Sequence, residues 1–139
     1  MESGMVQYHD ERRPSGDMTL RTLAMPADAN AAGDIFGGWV MSQMDLACGI
    51  KAAERAGTRV VTAAVKEMFF AKPVKIGDTL TIYTEVTRVG RTSMTLRVEA
   101  WAKRYLTEHA EMVTHADIVM VALGADGKPQ EVPAEQPAG

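Results

Sequence analysis

One carboxylate stands nearly alone in a long apolar run. Asp45 lies inside residues 36–56, where most neighbours are Gly, Val, Met, Leu, Ala and Ile. An acid in such surroundings must be paired, neutralised or functional. If desolvated, its pKa would rise toward the range where a base works at neutral pH. A bland alternative is a helix carboxylate favoured by the macrodipole, but that effect fades beyond the first turn. Asp45 falls about two turns in. Just upstream, Gly37 and Gly38 lack side chains, so a carbonyl could approach the free N–H groups of a helix start. The same glycines could serve only close packing. Asn30 offers an amide donor and a carbonyl acceptor, although residue type alone favours ordinary turn chemistry. Asp34 reads as a helix N-cap rather than a second acid.

These residues need a scaffold. A strand over 18–25 stops at Pro26, and a loop follows to Gly33. The helix is expected from Phe36 or Gly37 to Ala56, with Gly57 as its C-cap. Advancing 100° per residue puts Val40, Met44, Ala47 and Cys48 on one stripe. Asp45 and Ala52 lie on its flank, and Leu46 and Ile50 make the far side apolar too. Strand chemistry then takes over. Residues 60–70 are rich in Val, Ala, Thr and Phe, and residues 79–89 alternate. Residues 93–105 alternate more cleanly. Met94, Leu96, Val98, Ala100 and Ala102 share one face, and Arg97, Glu99 and Lys103 form a solvated or intersubunit ion-pair stripe on the other. Residues 111–123 end apolar on both faces, as in a central strand. Short turns imply antiparallel neighbours. The class is α+β, one long helix against a five-stranded antiparallel sheet. Residues 1–17 read as a mobile arm, 18–129 as the single domain and 130–139 as a flexible tail.

Composition narrows the function classes. The net charge of -3 gives no basic footprint for nucleic acid. No apolar run nears the roughly 20 residues that cross a bilayer. Glu2, Asp10 and Glu11 and the lack of an apolar stretch argue against a secretory signal. Cys48 is the only cysteine, which excludes an intrachain disulfide and a zinc finger. A cytoplasmic protein without a metal site is the expectation.

Four pieces in order carry a family resemblance: Arg21-Thr22-Leu23-Ala24-Met25-Pro26; Asn30-x-x-Gly33-Asp34-Ile35-Phe36-Gly37-Gly38-x-x-Met41-x-x-Met44-Asp45; Phe70-x-x-Pro73-Val74-x-x-Gly77-Asp78; and Gly90-x-Thr92-Ser93. Together they resemble the hotdog-fold acyl-CoA thioesterases of the ACOT type, within them the YciA-like group. The match spans about residues 18–129. Glu67 and Phe69 depart from it, being bulkier than the small or hydroxyl residues expected there, which bears on acyl-pocket shape.

The resemblance implies a hotdog fold, its central helix wrapped by the sheet, and hydrolysis of acyl-CoA to fatty acid and coenzyme A. It makes Asp45 the catalytic acid residue, as general base or nucleophile. Asn30 becomes the orienting group, and the Gly37 and Gly38 amides the oxyanion hole. Lys72, Arg91, Thr92 and Ser93 are candidates for the coenzyme A phosphates. No cofactor is implied, since coenzyme A is part of the substrate. Asn and Asp of one site are implied to come from different subunits, in a homo-oligomer built from dimers, with a trimer of dimers suggested. The alternative is a non-catalytic acyl-CoA-binding or sensing module. A hotdog dehydratase would need a His near the helix start, and residues 30–45 hold none.

Overall fold

Gly57 ends the helix where the apolar period ends. In the computed structural model, which describes residues 7–8 and 13–135, α1 runs Gly37–Ala56. Gly57 takes the left-handed conformation, φ 69°, and its N–H donates to the Ala53 carbonyl at 2.8 Å. Val40, Met44, Ala47, Cys48, Ala52 and Ala56 are buried. Ala52 thus belongs to the buried stripe, not to the flank with Asp45. Met41, Leu46 and Ile50 are exposed in the single chain. No helix among the described residues is long and apolar enough to cross a membrane.

The strands are β1 (Gln7–Tyr8), β2 (Asp17–Leu23), β3 (Val60–Phe70), β4 (Thr79–Val89), β5 (Ser93–Lys103) and β6 (His109–Ala122). Five of them form one antiparallel sheet in the order β2-β4-β5-β6-β3. The two-residue β1 adds a parallel pairing at His109 and Ala110, on the edge of β6 that β3 occupies further along. α1 touches each of the five antiparallel strands. Its stripe meets Leu80, Ile82, Met94, Leu96, Val98 and Ile118, all buried in one core.

The expected inner face of β5 is fully buried. Its outer face holds an ion pair, Arg97 with Glu99, as expected of a solvated or intersubunit ion-pair stripe. The pair forms within one chain, however, and Glu99 is not solvated. Glu99 and Trp101 are 5% and 3% exposed. Glu99 survives burial because donors surround it. The Ser15 N–H and Trp101 Nε1 donate to Oε1 at 3.2 and 3.0 Å, and the Arg97 guanidinium donates to Oε2.

Both expected end segments touch the body where they are described. Residue 17 already belongs to β2. Past residue 129, the Gln130 N–H donates to the Ala122 carbonyl and the Val132 N–H to that of Arg91, each at 2.8 Å. Val132 joins the core. The remainder of the expected arm and tail, residues 1–6, 9–12 and 136–139, lies outside the described residues.

The departure at Glu67 has a backbone consequence. β3 slips against β6 between Lys66 and Phe69, and Glu67 sits in this bulge at φ 48°. A side chain there costs about 1–2 kcal/mol, whereas glycine is free of that penalty but loses about 0.5–1 kcal/mol of chain entropy. Glu67→Gly is therefore expected to stabilise the fold by about 0.5–1 kcal/mol, seen as a melting temperature a few degrees higher.

Candidate active site

The start of α1 leaves two donors unused. Phe36 occupies the N-cap position with no side-chain cap, and the Trp39 and Val40 N–H groups both turn back to its carbonyl. The N–H groups of Gly37 and Gly38 donate to no described residue. Neither glycine has a positive φ. A Cβ on Gly38 would meet nothing within 4 Å, and one on Gly37 would come only to 3.4 Å from Phe70 Cε1. Packing and backbone conformation thus do not demand glycine at either place. What the missing side chains provide is approach to the N–H groups from outside.

Asn30 turns out to split its amide. Oδ1 accepts the N–H groups of Ala32 and Asp34 at 2.9 and 3.1 Å, an assignment that two donors fix. The loop closes further through Asn30 N–H to the Asp34 carbonyl at 2.7 Å. Nδ2 is left with no acceptor among the described residues. The acceptor holds the loop and the donor remains available.

Asp34 is not the helix cap. The cap position falls two residues later, at Phe36. The Asp34 carboxylate pairs instead with Lys75, and the two residues form a backbone bridge. This pins the Asn30 loop to the β3–β4 connection.

Asp45 is exposed in the single chain, so the desolvation expected of it does not arise there. Its Oδ1 accepts a hydrogen bond from Thr62 on β3. Thr62 was not singled out by sequence, because the run Val60-Val61-Thr62-Ala63 shows no polar alternation to mark it. The charge of Asp45 also reaches the core: burial first, and Asp45 second, push the Cys48 thiol up to about 12. Eight residues separate Gly37 from Asp45, which at 1.5 Å per residue is about 12 Å. No single carbonyl group touches both within one chain.

The basic candidates divide. Lys72 lines a cavity beside Gly37, about 360 Å³ in volume, together with Ile35, Val40, Phe70, Val74 and Thr114. Its ammonium is held at 2.9 Å by Glu111, which also binds Arg104 at 3.2 Å. Desolvation raises the Glu111 carboxyl, but Lys72, Arg104 and His109 outweigh it and hold it below the usual range. Asp78 is pushed up by burial despite the Lys75 N–H and Arg104. The Arg91-Thr92-Ser93 turn lies at the other end: Arg91 binds Val132, and the next residue, Pro133, accepts from Arg55 near the close of α1. A helix of this length separates the two groups by roughly 30 Å.

One helix gripped by five antiparallel strands, with free amides at its start and a hydroxyl-held carboxylate two turns on, defines a hotdog fold. The chain matches the thioesterase superfamily over residues 32–107, more than half its length, and belongs to that superfamily. More narrowly, it is a member of the YciA-like group of hotdog-fold acyl-CoA thioesterases. It is 46% identical over 125 residues to the acyl-CoA thioester hydrolase YciA of Escherichia coli (strain K12), across 88% of this chain and 95% of that one. Among solved structures it is similar to HI0827, a hexameric broad specificity acyl-coenzyme A thioesterase, with a TM-score of 0.84 and 45% identity over 89% of this chain and 86% of that one. The hexameric thioesterase y2039 of Yersinia pestis gives 0.83 and 46%, over 88% and 100%.

Because Asn30 Oδ1 is the hinge of its loop, Asn30→Ala should loosen that loop without melting the core. Amide hydrogen exchange at Ala32 and Asp34 is expected to quicken by about tenfold, as for loss of one to two hydrogen bonds. Protection within β5 should stay as it is.

Proposed function

We propose that the protein hydrolyses acyl-CoA to a carboxylic acid and coenzyme A, in sites each shared by two copies of the chain. The observation that carries this reading is the separation of Gly37 from Asp45 along one helix. Both groups fit a hydrolase, yet one chain cannot bring them to one carbonyl. Asn30 and the Gly37 and Gly38 amides of one copy therefore act with Asp45 and Thr62 of another.

In such a site the thioester carbonyl oxygen lies against the two glycine N–H groups, with Asn30 Nδ2 beside it. Asp45, oriented by Thr62, takes a proton from water as the water oxygen attacks the carbonyl carbon. The carbonyl electrons move onto the oxygen, and the amides stabilise that charge. The intermediate collapses, the C–S bond breaks, and the thiolate recovers the proton from Asp45. Water, thioester and these side chains balance the reaction with no cofactor. We favour this general-base route over direct attack by the carboxylate.

The second copy also explains the solvation of Asp45. Around it Met41, Leu46 and Ile50 are exposed, as are Val61, Val65 and Phe69 of β3. The free edge of β3 pairs with nothing among the described residues. A copy packed there buries this surface and removes water from Asp45. HI0827 and y2039 are hexameric, and we infer an assembly of dimers here, a trimer of them. The Arg91-Thr92-Ser93 turn of another copy would flank the coenzyme A phosphates.

Thiol release from acyl-CoA by the purified protein tests the activity, and binding without release would overturn it. Asp45→Asn is expected to lower kcat/KM by about 100- to 10,000-fold, the usual reach of a general base. A mixing experiment tests the sharing. Inactive Asn30→Ala and Asp45→Asn proteins, allowed to exchange subunits, should regain about a quarter of wild-type activity, since half the random dimers are mixed and each has one intact site. No recovery after proven exchange would place the site within one chain.

A further inference from the structure

The cavity under the start of α1 contains a polar group that the hydrolytic chemistry does not use. Thr114 is fully buried, and its Oγ1 has no hydrogen-bond partner among the described residues. It lines the same cavity as Gly37. β6 sets Thr114 opposite Phe70 on β3, and the Phe70 ring is also what a Cβ on Gly37 would meet. Phe70 thus neighbours both Gly37 and Thr114 in the wall of one cavity. Ile35, Val40 and Val74 complete an apolar wall.

A buried hydroxyl with no partner is costly, and a valine of the same shape would avoid that cost. An ordered water could bond to Thr114 Oγ1 and the Gly37 N–H. In the proposed site, however, the thioester carbonyl takes that N–H and leaves the water short of the usual two to four polar partners. Lys72, the charged side chain at this cavity, is already committed to Glu111. A ligand oxygen that arrives attached to an apolar chain fits better. Threonine can donate to a keto oxygen or exchange a hydrogen bond with a hydroxyl.

We propose that this cavity receives the acyl chain and that Thr114 selects acyl groups carrying a hydroxyl or keto oxygen. The inference rests on the hydrolytic reading: with the thioester carbonyl at the Gly37 amide, the acyl chain enters the cavity that Gly37 borders. Thr114 is then a specificity-determining residue.

The test compares kcat/KM for butyryl-CoA and 3-hydroxybutyryl-CoA in the wild type, T114V and T114S. The wild type is expected to favour the hydroxylated ester by about tenfold, the worth of one good hydrogen bond. T114V should bring the ratio close to one, and T114S should keep most of the preference. A wild type without preference, or a T114V ratio equal to the wild-type one, overturns the assignment. The melting temperature of ligand-free T114V provides a second reading. It should equal or exceed the wild-type value, and a marked drop would show that the hydroxyl serves the fold instead. Failure of the wild type to release thiol from either ester would sink the hydrolytic reading itself.

Discussion

Along α1 the side chains that meet the sheet are Val40, Met44, Ala47, Cys48, Ala52 and Ala56, four of them no larger than cysteine. Small residues let a helix lie close over a sheet, and each large one buried adds roughly 1.5–3 kcal/mol. This contact sets where the helix begins and how it is turned about its axis. Gly37 is thereby set against Phe70, and Asp45 within reach of Thr62. The groups proposed for the site need little anchoring of their own, because the apolar stripe has already placed them.

The opposite side of the same helix poses the complementary problem. A helix apolar on most of its circumference cannot be covered by one five-stranded sheet. Leu46 and Ile50 stay exposed, and so does β3, whose Val61, Val65 and Phe69 face water in the single chain. In the proposed assembly one device answers both needs: a second copy covers the surface and supplies the dry setting a carboxylate base requires.

Local patterns were legible. Residues 60–70 and 79–89 form strands with the bounds their composition suggests, because turn residues punctuate both ends. The helix was equally plain from its period and from Gly57. The four motifs pointed to the family, and the comparisons bear that out. What escaped depends on distant partners. Glu99 was expected on a solvated or intersubunit ion-pair face, and it is Ser15, 84 residues away, that helps satisfy it in the interior. Thr62 meets Asp45 only once β3 is laid beside the helix. Asp34 looks like a cap by residue type, yet a lysine 41 residues on claims it. Val132 lies in a stretch of Pro, Glu and Gln, and its burial follows from a strand end that no local rule reveals.

The two ends of the molecule are closed by different forces. Where the helix begins, the Asp78, Arg104, Glu111 and Lys72 side chains clasp the β3–β4 connection to the β5–β6 turn. Where it ends, Val132 and Pro133 hold the close of α1 to the β4–β5 turn by apolar contact, a backbone bond from Val132 to Arg91 and the Arg55 guanidinium on the Pro133 carbonyl. Acid removes the charge of Glu111 and so works on the first clasp, while cold weakens apolar contact and works on the second. Each stress has its own seam at which the molecule opens, and only the acid-sensitive seam borders the amides of Gly37 and Gly38.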